Sequence, residues 1–125
     1  MTDRQLTILA ALNLMVAVGA GAFGAHGLKR MLTPELLSVW QTGVLYHLVH
    51  ALGLFVVALL GARYGSPLLS AAGMVMFAGI VLFSGSLYLL SLTGTHWLGA
   101  VTPFGGVAFL ASWGMVALAA YRSLS

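Results

Sequence analysis

The stretch Tyr46-His47-Leu48-Val49-His50-Ala51-Leu52 decides how the chain is read, because it sets two imidazoles inside an otherwise apolar run. Successive helical residues turn by about 100°, so His47 and His50 point within about 60° of each other, with Gly43 and Leu54 extending the same stripe. Ionisable groups in the middle of a membrane helix are costly and generally face a bundle interior or a water-filled cavity. The stretch therefore predicts a membrane-spanning helix whose polar side turns away from lipid.

The rest of the chain agrees with that class. Of 125 residues, 61% are hydrophobic and only 6% are charged, and the mean hydropathy is +1.05, far from the composition of a soluble domain. A hydrocarbon core of about 30 Å takes about 20 helical residues, so the length allows at most four or five crossings and no separate soluble domain. We expect an all-α polytopic membrane protein, four transmembrane helices in a bundle, forming one integral membrane domain over residues 1–125. The spans fall near residues 6–25, 43–62, 67–90 and 98–121. The absence of cysteine excludes disulfides, thiolate catalysis and iron–sulfur ligation. A net charge of +3 reflects scarce acids more than abundant bases. A few basic residues at helix ends suit the lipid bilayer and its anionic headgroups, and nucleic acid is not expected as a partner.

The first span, Leu6 to Ala25, carries no charge and follows Arg4. It shares features with a secretory signal peptide, including the small Ala20-Gly21-Ala22 run, but we expect it to be retained. Asn13, Ala17, Gly21 and Ala25 recur every fourth residue, giving a face of little bulk with one amide on it. Such a face packs closely on another helix, and an interhelical bond from Asn13 would contribute about 0.6 to 2 kcal/mol. His26 and Gly27 read as a helix end, with Gly27 in the left-handed conformation and His26 near the negative end of the helix dipole.

Thr33-Pro34-Glu35 is a helix start: Thr33 as N-cap, Pro34 in the first turn, and an acid where the dipole is positive. The pattern then runs to about Leu60, about 42 Å of helix, so helix 2 has an interfacial or extended start outside the hydrocarbon. Trp40 and Tyr46 are expected in the aromatic belt on that side. Arg63 to Pro67 forms a polar turn, and Ser91 to Trp97 is the candidate loop between the third and fourth spans. On the third span Ala71, Ala78 and Gly85 recur at heptad spacing, while Ser84, Ser86 and Tyr88 supply hydroxyls. In the fourth, Thr102 and Pro103 make either a helix start or a kink after Leu98; a plain start accounts for the residues as well as an interruption does. With four crossings, Arg4, Arg63 and Arg122 share one side and Lys29 and Arg30 the other, which favours cytoplasmic termini.

Two histidines at i and i+3 are able to ligate metal, but a closed site takes more ligands, and no carboxylate or thiolate lies within a span. No metal and no cofactor are expected. Nucleophilic catalysis lacks a GxSxG motif and a buried acid, and phosphate-binding signatures are absent.

The motifs Gly21-Ala22-Phe23-Gly24-Ala25-His26-Gly27-Leu28, Tyr46 with His50-Ala51-Leu52, Phe83-Ser84-Gly85-Ser86-Leu87-Tyr88-Leu89, and Thr102-Pro103 with Gly105-Gly106 come in this order. On them the chain resembles the YgdD/YwdK-like family of small bacterial inner-membrane proteins. The resemblance implies four helices and multi-pass placement in the bacterial inner membrane, and it implies no activity. His26 and His50 match the family pattern, whereas His47 stands where relatives often carry Gln. The polar pocket candidates are therefore His26, Tyr46, His50, Ser84, Ser86, Tyr88, Thr102 and Pro103. We expect a non-enzymatic helix-packing or assembly protein, a homo-oligomer or one bound to a membrane-protein partner. The alternative is a small proton-linked transporter or channel using its membrane-embedded histidines. A site for lipid or quinone would have only histidines, hydroxyls and backbone to work with.

Overall fold

The computed structural model describes residues 1–123. Five α-helices account for most of them: α1 Asp3–Ala25, α2 Pro34–Tyr64, α3 Pro67–Ile80, α4 Ser86–Thr93 and α5 Thr102–Arg122. A π-helical turn, Val81–Gly85, joins α3 to α4, so the two form one continuous third span. Short 3-10 turns at Leu28–Arg30 and His96–Ala100 precede α2 and α5. The four segments Asp3–Arg30, Pro34–Tyr64, Pro67–Thr93 and His96–Arg122 are each long and apolar enough to cross a bilayer. Helices are the only secondary structure among the described residues, as expected where backbone groups must be satisfied within the segment.

Local chemistry sets the helix ends. Thr2 caps α1 in a capping box with Gln5, each side chain meeting the other's backbone N–H. Thr33 and Ser66 cap α2 and α3, each followed by a proline whose missing N–H costs nothing there. Gly65 and Gly94 end α2 and α4 in the left-handed conformation, with φ of 64° and 69°.

Gly27 does not adopt that conformation. Its φ of −68° carries the chain on into the right-handed Leu28–Arg30 turn, which places Leu28 in full burial against Trp40 and Val44. What singles out Gly27 is the Phe23 ring, which an added Cβ would meet at 2.6 Å.

The spans are not arranged symmetrically. α2 and the third span are central; α1 packs along α2, and α5 packs along α3 and the π turn. The main apolar core joins Leu6 and Ala10 of α1, Leu54, Val57 and Ala58 of α2, Leu69, Met76 and Ile80 of α3, and Phe109 of α5. The small-residue face of the third span is Ala72, Gly73 and Gly79, with Gly73 against Leu6 and Gly79 against Phe109. The expected heptad stripe is not the packed one, since Ala78 is exposed. Several small-residue stripes compete on this helix, and only the neighbours decide between them.

Trp40 also departs from expectation. It is 6% exposed, inside the α1–α2 contact, where its Nε1–H donates to the Ala20 carbonyl at 2.9 Å. Gly24 makes the space: a Cβ there would lie 2.7 Å from the Trp40 ring. The opening turns of α2 thus dock on the end of α1 rather than leaving Trp40 in an interfacial belt.

Candidate functional site

α2 carries both central histidines, and each is engaged by different helices. On one side, His47 lies between Asn13 of α1 and Tyr88 of α4. The Asn13 amide nitrogen donates to the Leu9 carbonyl at 2.9 Å, which turns its oxygen toward His47. His47 Nε2–H therefore donates to Asn13 Oδ1 at 3.0 Å, and its Nδ1 accepts from the Tyr88 hydroxyl at 2.9 Å. The partners assign a neutral tautomer protonated on Nε2. Tyr88 also packs against Trp40, with ring centroids 4.5 Å apart, and closes on Gly43.

On the other side, His50 has the opposite tautomer. Its Nδ1–H donates to the Tyr46 carbonyl at 2.8 Å, and its Nε2 accepts from the Trp113 indole N–H at 3.0 Å. Its ring stacks on Phe109 with centroids 3.5 Å apart and planes 9° from parallel. Two imidazoles three residues apart thus fasten α2 to α1 and α4 through His47, and to α5 through His50.

The π turn lies between these networks. Ser84 is fully buried and donates to the Gly43 carbonyl at 2.7 Å. Ser86 donates to the Phe83 carbonyl and lies 2.6 Å from the Thr102 hydroxyl. Thr102 is thus inside the start of α5, with its hydroxyl turned to the third span, and is not an N-cap; Val101 opens the helix without a side-chain cap. The Gly105 backbone sits directly against the Phe83 backbone, a separation only glycine allows. π turns occur often at functional positions, because the extra residue re-aims the side chains around it.

Two cavities flank the turn. One, of about 260 Å³, opens beside Asn13, His47, Ser84 and Tyr88. The other, of about 450 Å³, lies between Tyr46 and His50 of α2, Phe83 of the π turn, and Pro103, Phe109 and Trp113 of α5. The expected polar set therefore divides. Tyr88 and Ser84 line the first cavity; Tyr46, His50 and Pro103 line the second; Ser86 and Thr102 pair with each other. His26 is exposed at the end of α1, about 20 Å along that helix from Asn13. The small-residue stripe of α1 divides too: Asn13 and Ala17 are buried, Gly21 is half-buried against Val44, and Ala25 is exposed. A strict four-residue repeat drifts about 40° per step around a helix, and by the last turn Gly24 faces α2 instead.

Asn13 as the partner of His47, and Trp113, Phe83 and Phe109 as the surroundings of His50, are not legible as a site from spacing. Trp113 does carry one signal, an indole in the middle of a span where tryptophans are usually found at the ends. Among the described residues, no three His, Cys, Asp or Glu side chains come together as a metal site would require.

Four apolar helices tied by buried polar side chains define an integral membrane protein. The chain belongs to the family described as "Protein of unknown function (DUF423)", which matches residues 20–106, a segment holding all four of the motifs quoted above. It is similar to the UPF0382 membrane protein YwdK of Bacillus subtilis (strain 168), at 58% identity over 118 residues, 94% of this chain and 96% of that one. It is also similar to UPF0382 membrane proteins of Staphylococcus epidermidis, 47% identical over 92% of this chain and 93% of the relative, and of Staphylococcus saprophyticus, 45% identical over 92% and 95%. No solved structure matches the chain.

Proposed function

We propose that this is a non-enzymatic packing protein of the bacterial inner (plasma) membrane, with both termini cytoplasmic, that assembles with a second copy or with another membrane protein. Its polar side chains lock its own helices in register and leave a shaped, lipid-facing surface for docking. One observation carries this reading: among the described residues, every buried side-chain nitrogen and oxygen has a hydrogen-bond partner within the chain. Ser84, Ser86, Ser91 and Ser112 all donate to backbone carbonyls, and the ring nitrogens of His47 and His50 are all engaged. The one lone pair of each imidazole is engaged, by the Tyr88 hydroxyl and by the Trp113 indole N–H, which suits a structural lock better than a general base or a metal ligand. Ala25, exposed on the outer side of α1, offers a close-approach point to a neighbouring helix.

Native mass spectrometry from a mild membrane mimetic tests the proposal. A defined oligomer that Ala25→Leu dissociates, with the helical circular dichroism and melting temperature retained, would support assembly through α1. A wild-type monomer without a bound protein would reject self-association and direct the search to a partner in the native membrane. A proton-linked carrier would instead give pH-dependent flux in liposomes that His50→Ala abolishes.

A further inference from the structure

We propose that the cleft between α2, the π turn and α5 binds the flat ring head of a membrane-dissolved lipophile that carries a carbonyl acceptor, a quinone in chemical class. The cleft measures about 450 Å³, within the range of about 300 to 1,000 Å³ usual for small-molecule sites. It opens toward lipid: Val107 and Leu110 on its rim are 64% and 75% exposed on the outer side of α5. An occupant therefore enters from the bilayer, which selects an apolar molecule over a sugar, a nucleotide or an ion.

Its wall is aromatic and ordered. The rings of Tyr46, His50 and Phe109 lie within 14° of parallel to one another, with Phe83 and Trp113 inclined to them. A flat conjugated ring gains offset-stacked contact along such a wall, whereas an acyl chain gains nothing from the alignment. His50 and Trp113 satisfy each other and hold the wall in place.

The specific polar handle is Tyr46. The residue is 40% exposed and lines the cleft, and its hydroxyl donates to no group among the described residues. Tyr46 lies near the middle of α2, away from the interfacial belt expected of it; a phenol O–H in hydrocarbon has lost its water partners, and a guest carbonyl would restore one. Gly106 borders the same space, with only the Phe83 ring edge 4.0 Å from where its Cβ would stand, so a larger side chain at 106 would enter the cleft without striking backbone.

The test uses protein in lipid nanodiscs carrying Trp97→Phe, which removes an indole exposed outside the cleft. Menadione, a tailless naphthoquinone, is titrated while tryptophan fluorescence is followed. The expected result is saturable quenching, about tenfold weaker in Tyr46→Phe, the loss of one hydrogen bond to a ligand, and abolished in Gly106→Leu. The ligand-free Tyr46→Phe protein should melt no lower than its parent, because the hydroxyl satisfies nothing in the empty cleft. Linear, unsaturable quenching equal in all variants would show partitioning only and overturn the proposal. So would unchanged affinity in Tyr46→Phe, or displacement of menadione by dodecane at equal concentration, which would assign the cleft to acyl chains. The number of subunits in the Gly106→Leu assembly is measured alongside by native mass spectrometry. A changed subunit number would make the cleft a docking face and overturn ligand binding, while lost quenching at unchanged subunit number supports the ligand site whatever becomes of the assembly reading.

Discussion

His47 Nε2 donates to Asn13 Oδ1 across 3.0 Å, and this bond joins α2 to α1 near the middle of both helices. It is a relation between two groups that are each expensive in lipid, 34 residues apart in the chain. Each is the other's solvent. The amide of Asn13 is oriented by Leu9 and the imidazole by Tyr88, so the pair is held at both ends.

That arrangement predicts strong coupling. Asn13→Leu and His47→Leu should each lower stability by about 1 to 3 kcal/mol, because each leaves a buried polar partner unsatisfied. The double variant should cost less than the sum of the two. A double-mutant cycle on denaturant unfolding in mild detergent measures the difference, expected at about 0.6 to 2 kcal/mol. Additive losses would show that the two side chains do not act as a pair.

The crossing of the π turn and α5 predicts an asymmetry between adjacent glycines. A Cβ at Gly105 would press on the Phe83 backbone, which has no side-chain freedom to yield, whereas a Cβ at Gly106 meets ordinary contact. Gly105→Ala should destabilise by about 1 to 3 kcal/mol as overpacking does, and Gly106→Ala should shift the thermal midpoint little. Equal midpoints for the two variants would contradict the close crossing.

At the α1–α2 contact, Trp40→Phe removes the N–H donated to Ala20 while keeping an aromatic ring. A loss of about 0.5 to 1.5 kcal/mol is expected. Gly24→Ala should cost more, since the methyl group would enter the Trp40 ring. Near-ultraviolet circular dichroism should show Trp40 losing its fixed environment in Gly24→Ala; an unchanged spectrum would show that the contact is loose.

Orientation is open to direct test because the chain has no cysteine. Single cysteines at Arg4, Arg63 and Arg122 should all label from the cytoplasmic side with an impermeant maleimide, and one at Lys29 only from outside. Labelling of Lys29→Cys with Arg63→Cys on the same side would break the four-crossing order.

The fold class was legible because the signal is summed over many residues. Four apolar stretches separated by Lys29–Arg30, by Arg63 to Pro67 and by the Gly94 turn leave little choice once composition demands helices. Helix starts at Pro34 and Pro67 were legible for a local reason, the caps that precede them. Gly27 misled, because the same residue serves a left-handed cap and a close ring contact, and spacing does not tell these apart. The candidate site was legible only as a set of residue types. His47 and His50 share a stripe in the sequence, yet in the structure they serve different neighbours and hold opposite tautomers.

What the sequence by itself determined is therefore the number of apolar spans, their caps, and the presence of polar groups too costly to face lipid, all properties of segments of about 20 residues or of the few residues at a helix end. Only the tertiary structure decided the pairs: Asn13 with His47, Trp113 with His50, Gly105 against Phe83, and Ala25 left outside. A helix presents several faces of similar composition to its surroundings. Which face is used depends on the order and rotation of helices around one another, and the chain settles these only when all the spans are packed together.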